Sequence, residues 1–157
     1  MEVKIMKYKQ LSFILAILLV LSALFNLYQW QKFNNLENEY TDLLQSINKI
    51  SYKVSLLISF GNGTRIWFNN TRIPIGWSLF NLTYYLTEGN MQFTATQWGP
   101  FITSILSVSQ YDNRYWLWYY WDPSAHEWLP GEVGAADYYL KDNDIIAWCL
   151  CEWGETP

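Results

Sequence analysis

Ionisable side chains and cysteine are scarce in this chain. Only 15% of its 157 residues are Asp, Glu, Lys or Arg, and it has one histidine and two cysteines. Small secreted domains that depend on several disulfides contain more cysteine, and a structural zinc site takes four Cys or His ligands. The composition argues against both classes. The core must come from apolar side chains, which make up 51% of the residues.

Basic residues are also few in the predicted domain. Residues 53–157 contain five Lys or Arg and ten Asp or Glu, a formal charge of −5. A surface with this balance repels a phosphate backbone. Nucleic acid is therefore not a predicted partner.

A long apolar run predicts a membrane anchor. Residues 11–28 contain no charged side chain. A helix of this length spans roughly 27 Å, close to the ~30 Å bilayer core. Segment 1–10 carries Lys4, Lys7 and Lys9. The positive-inside rule then places the N-terminus in the cytoplasm and the remainder outside the cell membrane, as a single-pass protein.

Two alternatives share these features. A cleaved signal peptide has the same basic and apolar regions. Its cleavage site would be poor here, because Leu21 and Ala23 are followed by bulky Leu24 and Phe25. The second alternative is a pilin-type assembly helix.

Residues 29–52 are predicted to form a short helical stalk. Apolar side chains recur there at alternating spacings of three and four, at Phe33, Leu36, Tyr40, Leu43, Ile47 and Ile50. This spacing is typical of a coiled-coil seam. Self-association through residues 33–50 and packing of an amphipathic helix on its own domain both remain open.

From residue 53 onward the pattern changes to that of strands. Lys53–Phe60 and Thr64–Phe68 are predicted as a hairpin around Gly61-Asn62-Gly63. Asn69–Pro74 is predicted as a loop. Ser78 is the expected N-cap of a helix that ends near residue 86.

The second half of the domain is predicted to contain four further strands. Their bounds are Met91–Trp98, Phe101–Val108, Tyr115–Trp121 and Asp144–Trp153. Turns are expected at Gly99-Pro100, at 122–124 and at Asp142-Asn143. A hairpin, a helix and then more strands predict a β-grasp-like α+β domain.

The stretch 115–153 is the richest in aromatic side chains. It holds six of the ten tryptophans, both cysteines and the histidine. One helix covers one face of a sheet, so the other face is expected to expose large rings, as ligand or partner sites do. The candidate ligand-binding residues are Tyr115, Trp116, Trp118, Tyr120, Trp128, Asp137 and Tyr138. A partner domain on this face and a simple core role are the alternatives.

No catalytic constellation is visible in the sequence. His126 has no recognisable nucleophile nearby. Cys149 and Cys151 point to the same face of a strand, which is poor disulfide geometry. We expect core thiols; a strained or intermolecular disulfide and a metal ligand pair are the alternatives. The chain is predicted not to be an enzyme and to hold no metal.

Three glycosylation sequons lie close together. They begin at Asn62, Asn69 and Asn81. An acceptor asparagine must be exposed in a translocated protein. All three agree with an extracellular domain.

Several short elements resemble the transcobalamin-like C-terminal domain family, also found in membrane-anchored prokaryotic surface proteins. They are Tyr115-Trp116, Leu129 before a glycine-containing turn, Gly134–Tyr138, and Leu140–Ile145 before the last strand. The resemblance covers about residues 53–153. It implies a β-grasp-like fold and the binding of a corrinoid or similar ligand as cofactor.

The chain departs from the family in two ways. Asn143 stands where the family usually has glycine, although asparagine also accepts positive φ. Cobalamin transporters hold the ligand between this domain and a helical barrel, for which 157 residues leave no room. The expected function is a membrane-anchored extracytoplasmic binding module. A structural subunit of a surface layer or filament is the alternative.

Overall fold

The computed structural model describes the backbone of residues 2–157 and the side chains from Phe13 onward. The chain divides into two compact units, Met1–Lys49 and Ile50–Pro157. Helix α1 (Glu2–Ile50) forms the first unit. The second combines one helix with two sheets, so the predicted α+β class is confirmed.

The predicted anchor and stalk belong to one continuous helix. Helix α1 runs without a break through residue 28, and Ser51 and Tyr52, predicted as the end of the stalk, begin the first strand. Within the described residues, the stretch Phe13–Ile50 is the helix long and apolar enough to cross a bilayer. A signal sequence has the same length and composition, so this helix is a candidate membrane span.

The larger sheet has five strands and a β-grasp-like order. Its strands are β1 (Ser51–Ser59), β2 (Arg65–Pro74), β6 (Tyr115–Asp122), β7 (Glu127–Pro130) and β8 (Ile145–Cys151). The order across the sheet is β2-β1-β8-β6-β7. Strand β1 pairs in parallel with β8, whereas its hairpin partner β2 and the other pairs are antiparallel.

The rest of the domain is helix α2 (Leu79–Leu86) and a small sheet. This sheet contains β3 (Met91–Thr96), β4 (Gly99–Ile105) and β5 (Val108–Ser109) in chain order. The predicted strand Phe101–Val108 is interrupted, because Leu106 and Ser107 form a turn with φ of 51° and 65°. The turn expected at Gly99-Pro100 lies two residues earlier, so these residues begin β4.

Two strand predictions in the larger sheet were incomplete. Residues 69–74 continue β2 and are not a loop. A bulge in β2 at Asn69 and Asn70, opposite Ser55, permits this: Asn70 has φ of 52°, and its N–H donates to the Ser55 hydroxyl at 3.1 Å. Strand β7 was not predicted, because its four residues lack an alternating pattern.

The main core lies between the larger sheet and the layer formed by α2 and the small sheet. Alternate residues of β8 point into it, among them Trp148 and Leu150, and Leu82 of α2 faces them. Ala147 and Cys149 point to the opposite face, where a second buried cluster forms. A strand covered on both faces must be apolar throughout, which explains the continuous run in β8.

Helix α2 begins where its capping residues predict. The Ser78 hydroxyl accepts a hydrogen bond from the Asn81 N–H, and the Asn81 side chain accepts one from the Ser78 N–H. Deeper in the helix, the buried Thr83 hydroxyl accepts a hydrogen bond from the Trp148 ring N–H at 2.7 Å. These contacts fix α2 over the central strands of the larger sheet.

Candidate ligand-binding cavity

An aromatic cavity of about 350 Å³ opens beside strand β6. It lies between β6, strand β4, the loop after β7 and the C-terminal segment. Large rings make up much of its wall: Phe101, Trp116, Trp118, Trp128, Trp148 and Trp153. Such a wall favours a flat apolar ligand, since ring faces stack and carry few hydrogen-bonding groups.

The sheet topology leaves space for this cavity. Strand β7 pairs only with the second half of β6, from Tyr119 to Asp122. The pairing ends at Gly131, whose N–H donates to the Trp118 carbonyl at 2.9 Å. From there the chain leaves the sheet, and Gly131 and residues 133–135 form one wall of the cavity.

Trp118 is held rigidly in this wall. Its ring N–H donates to the Val133 carbonyl at 2.9 Å. The ring packs on Tyr138 with centroids 4.6 Å apart. Gly131 touches it so closely that a Cβ there would lie 1.9 Å from a ring carbon. These contacts leave the ring only 8% exposed, so it contributes a small and fixed part of the cavity surface.

Trp116, two residues before Trp118 on the same face of β6, is held equally well. Its ring N–H donates to the Val108 carbonyl at 2.9 Å, and its ring meets Phe60 edge to face at 5.7 Å. The indole N–H groups of Trp116 and Trp118 are thus both satisfied by backbone carbonyls. These two rings therefore offer a ligand aromatic surface but no free hydrogen-bond donor.

The C-terminal segment supplies another wall. Gly154, with φ of 95°, turns the chain after Trp153, whose ring is 85% exposed. Glu155 then secures the segment: its carbonyl accepts from the Tyr119 hydroxyl at 2.7 Å, and its carboxylate pairs with Arg114 at 3.2 Å. Trp153 is therefore an exposed ring on a firmly attached segment.

Burial of the Tyr119 hydroxyl has an electrostatic consequence. The pKa of Tyr119 is raised, first by burial and then by the neighbouring Cys151 thiol. A hydrogen bond to Cys151, together with burial, raises the pKa of Cys149. The pKa of Cys151 is lowered, because it accepts that hydrogen bond. Both cysteines are free and buried. Tyr119, Cys149 and Cys151 therefore form a packed cluster against which the C-terminal segment lies.

The structure brings together three of the seven predicted ligand residues. Trp116, Trp118 and Trp128 line the cavity. Tyr138 supports Trp118 from behind, and its hydroxyl donates to Asp144 at 3.1 Å. Burial, and then the Asp144 carboxylate, raise the pKa of Tyr138.

The other three predicted residues lie outside the cavity wall. Tyr115 is exposed at the start of β6, and Tyr120 packs against the main core. The Asp137 N–H donates to the Gly134 carbonyl at 2.9 Å, within a turn. These residues surround the candidate site without lining it.

The expected exposed aromatic band is absent from β6. Trp116 and Trp118 are only 2% and 8% exposed, because α2 and the small sheet cover their face. On the opposite face Tyr119 is also buried. Sequence reasoning missed Phe101, Trp148 and Trp153 as cavity residues. The glycines at 131 and 134 were an available signal, since glycine often marks a close approach to a ring.

No metal site emerges from the described side chains. Between Phe13 and Pro157, no three His, Cys, Asp or Glu residues are grouped as metal ligands. His126 is exposed in the β6–β7 turn with φ of 57°.

The three sequon asparagines lie on the surface. Asn62 occupies the β1–β2 turn and Asn69 the edge strand β2, both exposed. Asn81 is exposed on α2, where its side-chain oxygen also accepts from Ser78. All three are accessible in the folded domain.

Comparisons with known proteins show that the fold is similar to that of a solved structure. No family model matches the chain, and no curated protein matches it. A crystal structure of a provisionally assigned metal-binding protein from Ruminococcus gnavus ATCC 29149 is similar, with a TM-score of 0.51 and 16% identity over 64% of this chain and 97% of that chain.

Haptocorrin in complex with Cbi is also found, with a TM-score of 0.47 and 18% identity. The match covers 64% of this chain and 26% of haptocorrin, so the chain spans about a quarter of that protein. At these identities the likeness shows a shared fold only, and it rests on the Ruminococcus structure.

Proposed function

We propose that this chain is a membrane-anchored binding module of the transcobalamin-like C-terminal type. Residues 11–28 cross the cell membrane once, with the N-terminus in the cytoplasm and the domain outside. Support comes from the apolar helix, the three preceding lysines and the β-grasp-like order of the larger sheet.

The aromatic cavity is the observation that carries the binding proposal. Trp116 and Trp118 are fixed by hydrogen bonds to backbone carbonyls, and exposed Trp153 borders the same space. A rigid aromatic wall with one exposed ring suits a planar apolar ligand that stacks on it.

The cavity volume limits the ligand. About 350 Å³ lies near the lower end of the ~300–1,000 Å³ typical of ligand sites. A compound of two or three fused rings fits inside. A corrinoid is much larger than the cavity. Only one edge of its ring enters, and the rest of the ring contacts Trp153 at the mouth.

The test uses the full chain in lipid nanodiscs. Anilinonaphthalene sulfonate, followed by its emission, probes small planar ligands, and cyanocobalamin is measured by equilibrium dialysis. We expect saturable binding of at least one probe. Trp153→Ala should weaken it roughly three- to tenfold, the effect of losing one aromatic pair.

Trp98→Ala is the matched control. Trp98 is 79% exposed, similar to Trp153, but does not line the cavity. It should leave the binding constant unchanged. Absence of binding by both probes, or an equal effect of the two substitutions, would contradict the proposed site.

The proposal is for a binding protein and not for an enzyme. It is supported by the aromatic lining and by the placement of His126 in an exposed turn, away from the cavity wall. Incubation of the loaded nanodiscs should return every bound probe chemically unchanged, as mass spectrometry would show.

Assembly of a surface layer or filament is the second candidate. Exposed apolar side chains at the mouth favour it, since Phe101 and Val133 are 41% and 49% exposed beside Trp153. In that case nanodiscs should cluster through their domains, and Trp153→Ala should disperse them without any probe being bound.

A further inference from the structure

Helix α1 carries a stripe of residues on one side of the helix. The stripe continues from the apolar run into the stalk without a change in its heptad spacing. We call it the seam; its members are Leu15, Leu19, Ser22, Asn26, Gln29, Phe33, Leu36, Tyr40 and Leu43. They alternate at spacings of four and three. At 100° per residue they fall within an arc of about 120° on an α-helix.

The seam includes the two polar residues of the apolar run. Between Phe13 and Leu27, Ser22 and Asn26 are the only polar side chains, and both lie on the seam. Polar residues in a membrane helix usually face another helix, because lipid offers them no hydrogen-bond partner. The seam therefore marks the side of the helix that avoids lipid.

Asn26 retains hydrogen-bonding capacity for such a neighbour. Its side-chain N–H donates to the Ser22 carbonyl at 2.8 Å. An asparagine amide has a second N–H and an oxygen acceptor as well. An asparagine at this kind of heptad position pairs with its counterpart in parallel dimers and fixes their register.

The stalk part of the seam is exposed within a single chain. Phe33, Leu36, Tyr40 and Leu43 are each at least 57% exposed. Four large apolar side chains in a row on a helix in water need a covering surface, and heptad spacing fits a second helix.

The flanking charges identify that second helix as another copy. Lys32 precedes the seam residue Phe33, and Glu37 follows the seam residue Leu36. In a parallel coiled coil these flanking positions, five residues apart, face each other across the two chains. Each Lys32 then meets Glu37 of the other copy, giving two complementary pairs.

We propose that α1 forms a parallel homodimer whose contact runs without interruption from Leu15, inside the membrane, to Leu43 in the stalk. Both copies enter the membrane in the same direction, so an antiparallel pair is excluded for this contact. The proposal rests on the membrane anchoring proposed above and is independent of the ligand cavity.

The first experiment is cysteine cross-linking of the full chain in liposomes. Leu36→Cys and Leu43→Cys lie on the seam, whereas Asn38→Cys and Gln45→Cys lie on the opposite side of the helix. Mild oxidation should cross-link most of the first pair and leave the second pair at the wild-type level. The wild type accounts for the native thiols, which are buried. Equal cross-linking on both sides, or none, would overturn the dimer.

The second experiment measures the dimer dissociation constant by energy transfer between labelled chains as lipid is added. Asn26→Leu should weaken the dimer roughly three- to tenfold, the range for interhelical polar contacts in lipid. Tyr28→Leu is the control. Tyr28 lies near Asn26 at the same end of the apolar run but on the other side of the helix, so its replacement should leave the dissociation constant unchanged. If both variants match the wild type, the contact does not extend into the membrane and the continuous seam is wrong.

Charge reversal tests the register. Lys32→Glu should weaken dimerisation about tenfold, since two attractions become repulsions. Adding Glu37→Lys should restore it. A double variant as weak as the single one would overturn the parallel register.

Discussion

At the scale of single residues, the aromatic cavity depends on a glycine. Gly131 faces the Trp118 ring, and that ring is immobilised by the Val133 carbonyl and by Tyr138. Gly131 does not have the positive φ that favours glycine, so space alone requires glycine at this position. The lack of a side chain at Gly131 thus allows the Trp118 indole to take its place in the cavity wall.

Replacing Gly131 with alanine should destabilise the domain by roughly 2–3 kcal/mol, the cost of overpacking a rigid site. Gly134→Ala is the control. A Cβ at 134 would lie 3.3 Å from the Trp98 carbonyl oxygen, so a small adjustment accommodates it. Urea unfolding followed by fluorescence gives both values. A loss at 131 no larger than at 134 would refute the packing argument.

At the scale of elements, α2 illustrates a local sequence signal that survives folding. Ser78 and Asn81 cap it reciprocally, and their spacing is visible in the sequence. The opposite case is β2, whose second half carries two asparagines and looks like a loop. Pairing with β1 keeps it extended, and a bulge opposite Ser55 accommodates the two asparagines.

Ser78→Ala should lower the free energy of unfolding by about 1 kcal/mol, because the first turn of α2 loses its cap. Ser109→Ala is a suitable control: this serine is exposed and pairs with β4 through its backbone. It should shift stability by less than about 0.5 kcal/mol. Equal effects of the two substitutions would show that the cap contributes nothing.

At the scale of the whole molecule, the buried Tyr119 and the half-buried Tyr138 link stability to alkaline pH. The pKa values of Tyr119 and Tyr138 are raised by burial, with further contributions from Cys151 and Asp144 respectively. Their protons stay bound in the folded state and leave the unfolded chain first. Their contribution is complete below about pH 10, the unfolded value, and is lost as the pH rises above it.

Tyr138→Phe should therefore flatten the loss of stability above pH 10. Without the Tyr138 hydroxyl, the folded and unfolded states differ by one bound proton fewer. The slope of the unfolding free energy against pH then changes by up to about 1.4 kcal/mol per pH unit. At pH 8 the variant should be less stable than the wild type, because the hydrogen bond to Asp144 is gone. Unfolding midpoints of the full chain in detergent between pH 8 and 11.5 test this. Parallel pH curves for the two proteins would contradict it.

The sequence by itself determined the apolar helix, the N-terminal hairpin, the cap of α2, the tight turn at Asn143 and the α+β class. Each depends on residues close in the chain, through periodicity, φ preference or capping. The continuous apolar run of β8 fits its position between β1 and β6, because a strand covered on both faces lacks polar positions.

Only the tertiary structure decided where the cavity lies. Phe101, Trp118 and Trp153 come from three distant segments, and nothing in their local patterns indicates that they share one space. Their meeting depends on where β7 stops pairing with β6 and on how Glu155 attaches the C-terminal segment. Local sequence sets the shape of each segment, whereas long-range pairing sets which side chains meet.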